Sequence, residues 1–174
     1  GPNEYENNVN NNFYTNYIAK WCINYAYDNI EIVEKEYPSD YTRIMNKVKL
    51  SKAELTQWKS VADHMYFPYS EEKNVYLQQD GFLDKELITV ANLDASQRPI
   101  NQKWSWDRIL RSPYIKQADT LQGMYFFEDD FTTEELERHF DFYEPFTVHE
   151  SSLSPCVHSI QAAKLGRMDQ AYTF

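Results

Sequence analysis

One carboxylate near the start of the chain, Glu4, stands among residue types that suit carbohydrate chemistry. It lies in the sequence GPNEY, and five of the six residues from 7 to 12 are asparagine. Amide side chains both donate and accept hydrogen bonds, as binding to sugar hydroxyls requires. A carboxyl group in such a site can act as a general acid, which gives its proton to a leaving oxygen. The residues alone also allow Glu4 to be a solvated loop carboxylate.

A second candidate position is the adjacent pair Lys116 and Gln117. Because the two residues are neighbours, their side chains leave one backbone site in different directions. The lysine ammonium can donate to hydroxyls and offset the charge of a phosphate, and the glutamine amide can both donate and accept. The alternative from the residues alone is an exposed loop lysine and a glutamine at the N-terminus of a helix.

A third candidate position precedes a helix that is predicted to begin near Ser154. Free backbone N–H groups and hydroxyls at the start of a helix bind anions, so Ser151 and Ser152 are candidate phosphate contacts. Ordinary capping by Ser152 or Ser154 is the alternative. Neighbouring His149 and Glu150 do not share one face, so no metal site is predicted there.

Composition excludes several classes of partner. The net charge of −10 argues against nucleic acid and against an anionic membrane surface. No run approaches the roughly 20 apolar residues of a membrane span. Cys22 and Cys156 do not form a metal-binding pattern and are expected to be free thiols in the cytoplasm, although one disulfide between them is the alternative. The absence of an initiator methionine suggests a piece of a longer protein.

Hydrophobic periodicity predicts an all-α fold with long loops and almost no sheet. A long helix over 12–37 should end at Pro38, and its apolar circumference predicts packing on two sides. Further helices are predicted from Ser51 to before Pro68, over 104–111, 117–127 and 132–143, from Ser154 to before Gly166, and from Met168. A short strand is predicted at 75–77 within the irregular stretch 69–103. The four tryptophans are expected to be core residues: Trp21, Trp58, Trp104 and Trp106.

Five segments, spread in order over nearly the whole chain, carry a resemblance. They are GPNEYENNVNNN (1–12), YTN (14–16), YIKQAD (114–119), FYEP (142–145) and HESSLS (149–154). Together they resemble the inverting disaccharide phosphorylases of glycoside hydrolase family 65. The resemblance implies that residues 1–174 are the second half of a single catalytic domain, an (α/α)6 barrel of paired helices.

The resemblance also implies roles for the candidate residues. Glu4 would be the general acid, and Lys116 and Gln117 would contact substrate. The reaction would be phosphorolysis of maltose or a related disaccharide (trehalose, kojibiose or nigerose), with inorganic phosphate as co-substrate and no cofactor. The segment 78–84 resembles the maltose-specific members more than the trehalose- or kojibiose-specific ones. Full-length members are commonly homodimers.

Two alternatives to this reaction remain open on the sequence. An inverting hydrolase would need a second carboxylate to activate water, and Glu150 is the candidate for this general base. A non-catalytic helical module could bind carbohydrate through aromatic side chains. A phosphorylase needs only the acid, because phosphate is already an anionic nucleophile. Glu4 must then be protonated before reaction, so we expect its pKa to be raised by burial beside Tyr5 and Tyr14 or by the approach of phosphate.

The resemblance further implies that the first half of the barrel lies outside these residues, including the Trp-Asp pair that holds the reacting glucose. We therefore expect the isolated chain to be inactive, and to be unstable or to aggregate because interior helix faces are exposed.

Overall fold

The computed structural model describes all residues, 1–174, and confirms the all-α class. Helical residues, 3₁₀ turns included, make up 61% of the chain and strand residues 3%. The helices are α1 (Phe13–Glu36), α2 (Pro38–Val48), α3 (Lys52–Asp63), α4 (Ile100–Lys103), α5 (Trp106–Arg111), α6 (Thr120–Phe126), α7 (Thr133–Tyr143), α8 (Ser154–Lys164) and α9 (Met168–Thr173). Strands β1 (Tyr69–Ser70) and β2 (Val75–Tyr76) form one antiparallel pair. None of the helices has the length and apolar character needed to cross a membrane.

The residues form two compact units, and the smaller one comprises Thr15–Tyr66. Ser51 caps α3 as predicted, since its side chain accepts a hydrogen bond from the backbone N–H of Glu54. The sequence pattern predicts only the end of a helix at Pro38, whereas the structure also has α2 beginning there. Proline lacks a backbone N–H, which the first turn of a helix does not need, so Pro38 both follows the end of α1 and opens α2.

The expectation that α1 packs on two sides was wrong. Only Phe13 is buried along the whole helix. Trp21, expected in the core, is 47% exposed and stacks on Tyr25, which is also exposed. Trp58 is half-buried. Side chains such as Trp21, Tyr25 and Ile32 leave apolar area in water, and exposed apolar area favours association. Aggregation of the isolated chain therefore stays a prediction, which thermal melting can test.

The larger unit comprises Gly1–Tyr14 and Phe67–Phe174. Its helix boundaries follow local rules. Thr132 and Glu135 form a reciprocal capping box at the start of α7, and Gly166 adopts a positive φ of 73° after Leu165, the C-cap residue of α8. Helix α5 begins at Trp106 rather than at the predicted 104, because the side chain of Ser105 caps it.

Trp104 and Trp106, both expected in the core, have different surroundings. Trp104 is half-buried and packs against a buried cluster of Tyr5, Ile100, Ile109, Tyr114 and Val148. Trp106 is 60% exposed, so its assignment to the core was wrong. The short helix α5 buries Ile109 alone.

An isolated parallel bridge joins two loops of the larger unit, at Ile115 and Thr147. The backbone N–H of Ile115 donates to the Phe146 carbonyl (3.0 Å), and the N–H of Val148 donates to the Ile115 carbonyl (2.8 Å). This bridge positions the segment that carries Lys116 and Gln117 beside the segment that leads to His149 and Glu150.

Candidate active site

Glu4 and Lys116, 112 residues apart in the sequence, form an ion pair. The Glu4 side chain is 57% exposed and the Lys116 side chain 21% exposed. The Lys116 ammonium lowers the pKa of the Glu4 carboxyl, and burial opposes this only weakly. The expectation of a pKa raised by burial was therefore wrong for this arrangement, because a cation bonds to the carboxyl and the side chain is mostly exposed.

Gln117 lies in the same place and is buried. Its amide nitrogen donates to the carbonyl of Pro2 at 2.6 Å, and its side chain also bonds to Glu4 and lowers the pKa of that carboxyl. Its amide oxygen has no hydrogen-bond partner, although it is buried. The fold thus brings together the three residues singled out by the motifs, Glu4, Lys116 and Gln117.

Two further residues, which the sequence analysis did not assign, hold this site together. The backbone N–H of Asn3 donates to Oδ2 of Asp119 at 3.0 Å, and the Asn3 side-chain oxygen accepts from the backbone N–H groups of Tyr5 and Lys116. Both Asn3 and Asp119 are nearly fully buried. Asn3 lies in the GPNEY segment and Asp119 in the YIKQAD segment. The sequence signal for both residues was therefore their place in motifs that also hold the candidate site residues.

Two residues of the asparagine-rich stretch, Asn11 and Asn12, make hydrogen bonds within the protein. The Asn12 amide donates to the Gln78 carbonyl and to Oδ1 of Asp119, each at 2.9 Å. Asn11 donates to the Asp80 carboxylate and adopts a positive φ of 54°, which asparagine tolerates better than most residues. The buried Asn12 amide is thus engaged within the protein, whereas sugar binding by the exposed Asn11 stays a prediction.

The segment 78–84, which resembles the maltose-specific members, contains buried residues. Gln78 and Gln79 are buried and their side chains bond to each other at 2.7 Å. The Gln78 carbonyl additionally accepts from the Phe13 backbone. Gln78 and Gln79 thus support the loop that carries the asparagines.

Tyr5 and Glu150 form a buried pair beneath the Glu4 loop. The Tyr5 hydroxyl donates to Oε2 of Glu150 at 2.6 Å, and the backbone N–H of Ile100 donates to Oε1 at 2.8 Å. Burial and the neighbouring Glu150 carboxylate raise the pKa of Tyr5. Both carboxylate oxygens of Glu150 accept hydrogen bonds from the protein, and its side chain is only 7% exposed. These contacts give Glu150 a structural role.

Ser151 and Ser152 follow Glu150 directly, at the start of α8. The hydroxyl of Ser151 accepts from the backbone N–H of Leu153 (3.2 Å), and Ser152 is exposed. The capping alternative was wrong, because the N-cap residue is Leu153 and no side chain caps the helix. Ser154 is buried and bonds to Nδ1 of His149. Contact between phosphate and either Ser151 or Ser152 stays a prediction.

An exposed aromatic side chain borders the site. The Trp106 ring lies edge-on to Tyr5 with ring centroids 6.2 Å apart, and the Lys116 ammonium lies 6.0 Å from the Tyr5 ring centroid. Trp106 is therefore close enough to the Glu4 loop to offer an apolar face to a sugar ring.

The buried His158 and the half-buried His149, near the site, should make the protein sensitive to acid. His149 and His158 pack edge to face at 4.6 Å, and both ring nitrogens of His158 lack a partner. Burial lowers the pKa of His158 to about 3 and that of His149 to about 4, from 6.5. Both rings are neutral in the folded protein, so stability is complete above the unfolded value and falls as the pH drops below it.

We predict that His158→Phe reduces this acid sensitivity. At pH 5, His158 should cost the wild type about 2 kcal/mol of its free energy of unfolding relative to pH 7. Phenylalanine keeps the aromatic packing and cannot be protonated. Thermal melting of both proteins at pH 7 and pH 5 measures the difference, and equal losses of melting temperature would contradict the prediction.

Comparisons with known proteins identify the family of the chain. The model of the glycosyl hydrolase family 65 central catalytic domain matches residues 1–174. The chain is 54% identical over 165 residues to maltose phosphorylase of Bacillus subtilis (strain 168), covering 95% of this chain and 21% of that protein. It is 43% identical to α,α-trehalose phosphorylase of Thermoanaerobacter brockii, covering 100% of this chain and 22% of that protein.

A solved structure, a putative kojibiose phosphorylase from the human microbiome, has the same fold over this region. It superposes with a TM-score of 0.88 at 38% identity, covering 99% of this chain and 22% of that one. The chain spans about a fifth of the length of the curated relatives it matches. The predicted resemblance and the predicted fold class, part of an (α/α)6-barrel catalytic domain, are confirmed. The chain belongs to glycosyl hydrolase family 65, as part of its central catalytic domain.

Proposed function

We propose that this chain carries the general acid of an inverting disaccharide phosphorylase, which converts maltose and phosphate to glucose and β-glucose 1-phosphate. The observation that carries the proposal is the Glu4–Lys116 pair with Gln117 beside it. It places one accessible carboxyl group and one cation together, with the Gln117 amide beside them. The names of the relatives reported above, maltose phosphorylase and α,α-trehalose phosphorylase, support the same reaction class.

In the proposed reaction, Glu4 gives its proton to the glycosidic oxygen as the bond from C1 to that oxygen breaks. A phosphate oxygen forms the new bond to C1 from the opposite face, which inverts the α-glucoside to β-glucose 1-phosphate. Glucose leaves with the transferred proton, and Glu4 regains a proton from solvent. No second carboxylate is needed, because phosphate is the nucleophile.

The ion pair with Lys116 raises the question of how Glu4 becomes protonated. A phosphate anion attracts the same ammonium group and adds negative charge near Glu4. Both effects raise the pKa of the carboxyl, so we infer that phosphate binding favours the protonated acid. Ser151 and Ser152 are the proposed hydroxyl contacts of phosphate, since they stand just before α8, and the positive end of a helix dipole favours anions.

A hydrolase that uses Glu150 as its base is the competing reaction. That base must accept a proton from water, whereas both oxygens of Glu150 accept hydrogen bonds from the protein. We predict that Glu150→Gln lowers the turnover of maltose by less than about tenfold, because glutamine keeps the shape of the carboxyl group and the change removes no reacting group. A hydrolase would lose nearly all activity. Glucose release measured in the full-length variant, with and without phosphate, distinguishes the two.

The deciding experiment incubates the full-length protein with maltose, with and without inorganic phosphate, and assays glucose and β-glucose 1-phosphate. Equal amounts of both products, formed only with phosphate, are expected. Glucose formed without phosphate would identify a hydrolase. Calorimetric binding of maltose without any product would favour the carbohydrate-binding module. If maltose is not turned over, trehalose, kojibiose and nigerose are tested in the same way.

The proposal also covers the cell compartment and the binding partners of the enzyme. Both cysteines are free thiols, which suits the cytoplasm. With a net charge of −10, neither nucleic acid nor an anionic membrane surface is a proposed partner. Beyond disaccharide and phosphate, the partner we propose is a second copy of the full-length protein, as a homodimer.

A further inference from the structure

We propose that Asn3 is a positioning residue, whose single side-chain oxygen holds the Glu4 loop and the Lys116 loop in register. The inference rests on the proposed function, because it concerns the placement of the acid and its cation. Asn3 itself is buried, so it acts through its neighbours and not on substrate.

The geometry at that oxygen is specific. It accepts from the backbone N–H of Tyr5 at 3.1 Å and from the backbone N–H of Lys116 at 3.0 Å. The first bond shapes the turn that presents Glu4, and the second joins that turn to a residue 113 positions away. Because Asn3 is 2% exposed, water cannot replace either bond.

The nitrogen of the same side chain contributes little. It lies 3.5 Å from the amide oxygen of Gln78, at the outer limit of a hydrogen bond. The side-chain oxygen therefore makes the bonds that position the two loops. A substitution that keeps an oxygen there should keep this positioning.

Asn3 is held in turn by Asp119. The Asp119 carboxylate accepts from the Asn3 backbone on one oxygen and from the Asn12 amide on the other, and it is 3% exposed. Asp119 follows Lys116 and Gln117 by two to three residues in the sequence, so this bond joins the same two loops a second time. Besides these bonds, Gln117 donates to the Pro2 carbonyl.

The test compares Asn3→Leu, which removes the oxygen at similar size, with Asn3→Asp, which keeps it. In the full-length protein, we expect Asn3→Leu to lower kcat about a hundredfold, the usual effect of a displacement of about 1 Å at a reacting group. We expect KM for maltose to change little and Asn3→Asp to retain most of the activity.

The pH profile distinguishes positioning from mere stabilisation. The alkaline fall of kcat/KM reports the pKa of the acid in the free enzyme. If Asn3→Leu separates Lys116 from Glu4, the fall should move to higher pH. The control is Gln161→Leu, which removes another buried bond, from the Gln161 amide to the Leu121 carbonyl (2.8 Å). This control should lower the melting temperature without moving the alkaline fall.

Titration of the Glu4 carboxyl by 13C NMR, assigned with Glu4→Gln, gives the same answer without turnover. Wild-type protein that makes no product would refute the proposed function, and the titration would still decide the role of Asn3. An Asn3→Leu variant with wild-type kcat, or with an unchanged Glu4 pKa, would overturn the inference. If Asn3→Leu fails to fold, Asp119→Asn, which weakens the support of Asn3, must shift the Glu4 pKa in the same direction.

Discussion

Replacing Glu4 by Gln is expected to lower kcat for the phosphorolysis of maltose by about a thousandfold, with little change in KM. Glutamine has the shape of the carboxyl group and can still bond to Lys116, but it has no proton to give to the glycosidic oxygen. The loss therefore falls on the transition state and not on substrate binding. Steady-state kinetics of the full-length protein, at saturating phosphate, measures it.

A substrate whose leaving group needs no proton provides the decisive control. We expect Glu4→Gln to cleave 4-nitrophenyl α-glucoside at a rate close to that of the wild type, because nitrophenolate leaves unaided. The matched variant is Glu71→Gln, which removes an exposed carboxylate in the larger unit and should leave both substrates unaffected. Equal losses on maltose and on the nitrophenyl glucoside would assign Glu4 to binding instead of acid catalysis.

Replacing Lys116 by Met is expected to move the alkaline fall of activity to higher pH and to lower kcat/KM about tenfold to hundredfold. A general acid works while protonated, so activity is lost as the pH rises through its pKa. Lys116 lowers the pKa of Glu4, and its removal raises that pKa. The rate falls nevertheless, since a hydrogen bond from a charged donor contributes about 1.5–3 kcal/mol.

The pH dependence of kcat/KM for wild type and variant, from pH 5 to pH 9, tests this prediction. Lys103→Met is the matched control, because Lys103 is an exposed lysine at the end of α4 with no ion pair to Glu4. An alkaline fall at the same pH in wild type and Lys116→Met would contradict the role of the ion pair. In Glu4→Gln, by contrast, the alkaline fall should disappear altogether.

These two predictions depend on a site whose residues the motifs identify but whose geometry they do not predict. The resemblance assigned Glu4, Lys116 and Gln117 from short segments at opposite parts of the chain. It could not indicate that Glu4 lies mostly in solvent and bonds to a lysine, which reverses the expected direction of its pKa. A pKa depends on the solvent and charges within a few ångströms, and those neighbours come from distant parts of the sequence.

The asparagine-rich segment shows the same limit. An amide suits a sugar and a buried carboxylate equally well, so composition alone could not decide between them. Asn12 has a structural role, because the fold places Asp119 and the carbonyl of Gln78 within hydrogen-bond distance of its amide.

Exposure was the least predictable property. Trp21 and Trp106 have the residue type of a core position, and both lie largely in water. Burial is decided by what packs against a helix, and a helical repeat predicts only which residues share a face.

By itself, the sequence determined the all-α class, the family and the helix ends that depend on a few consecutive residues. The capping box of Thr132, the cap at Ser51 and the glycine after α8 are such features, because their hydrogen bonds span three or four positions. Only the tertiary structure decided the bonds among Asn3, Asp119 and Lys116. These bonds join residues more than a hundred positions apart, and no local pattern encodes which distant donor meets which acceptor.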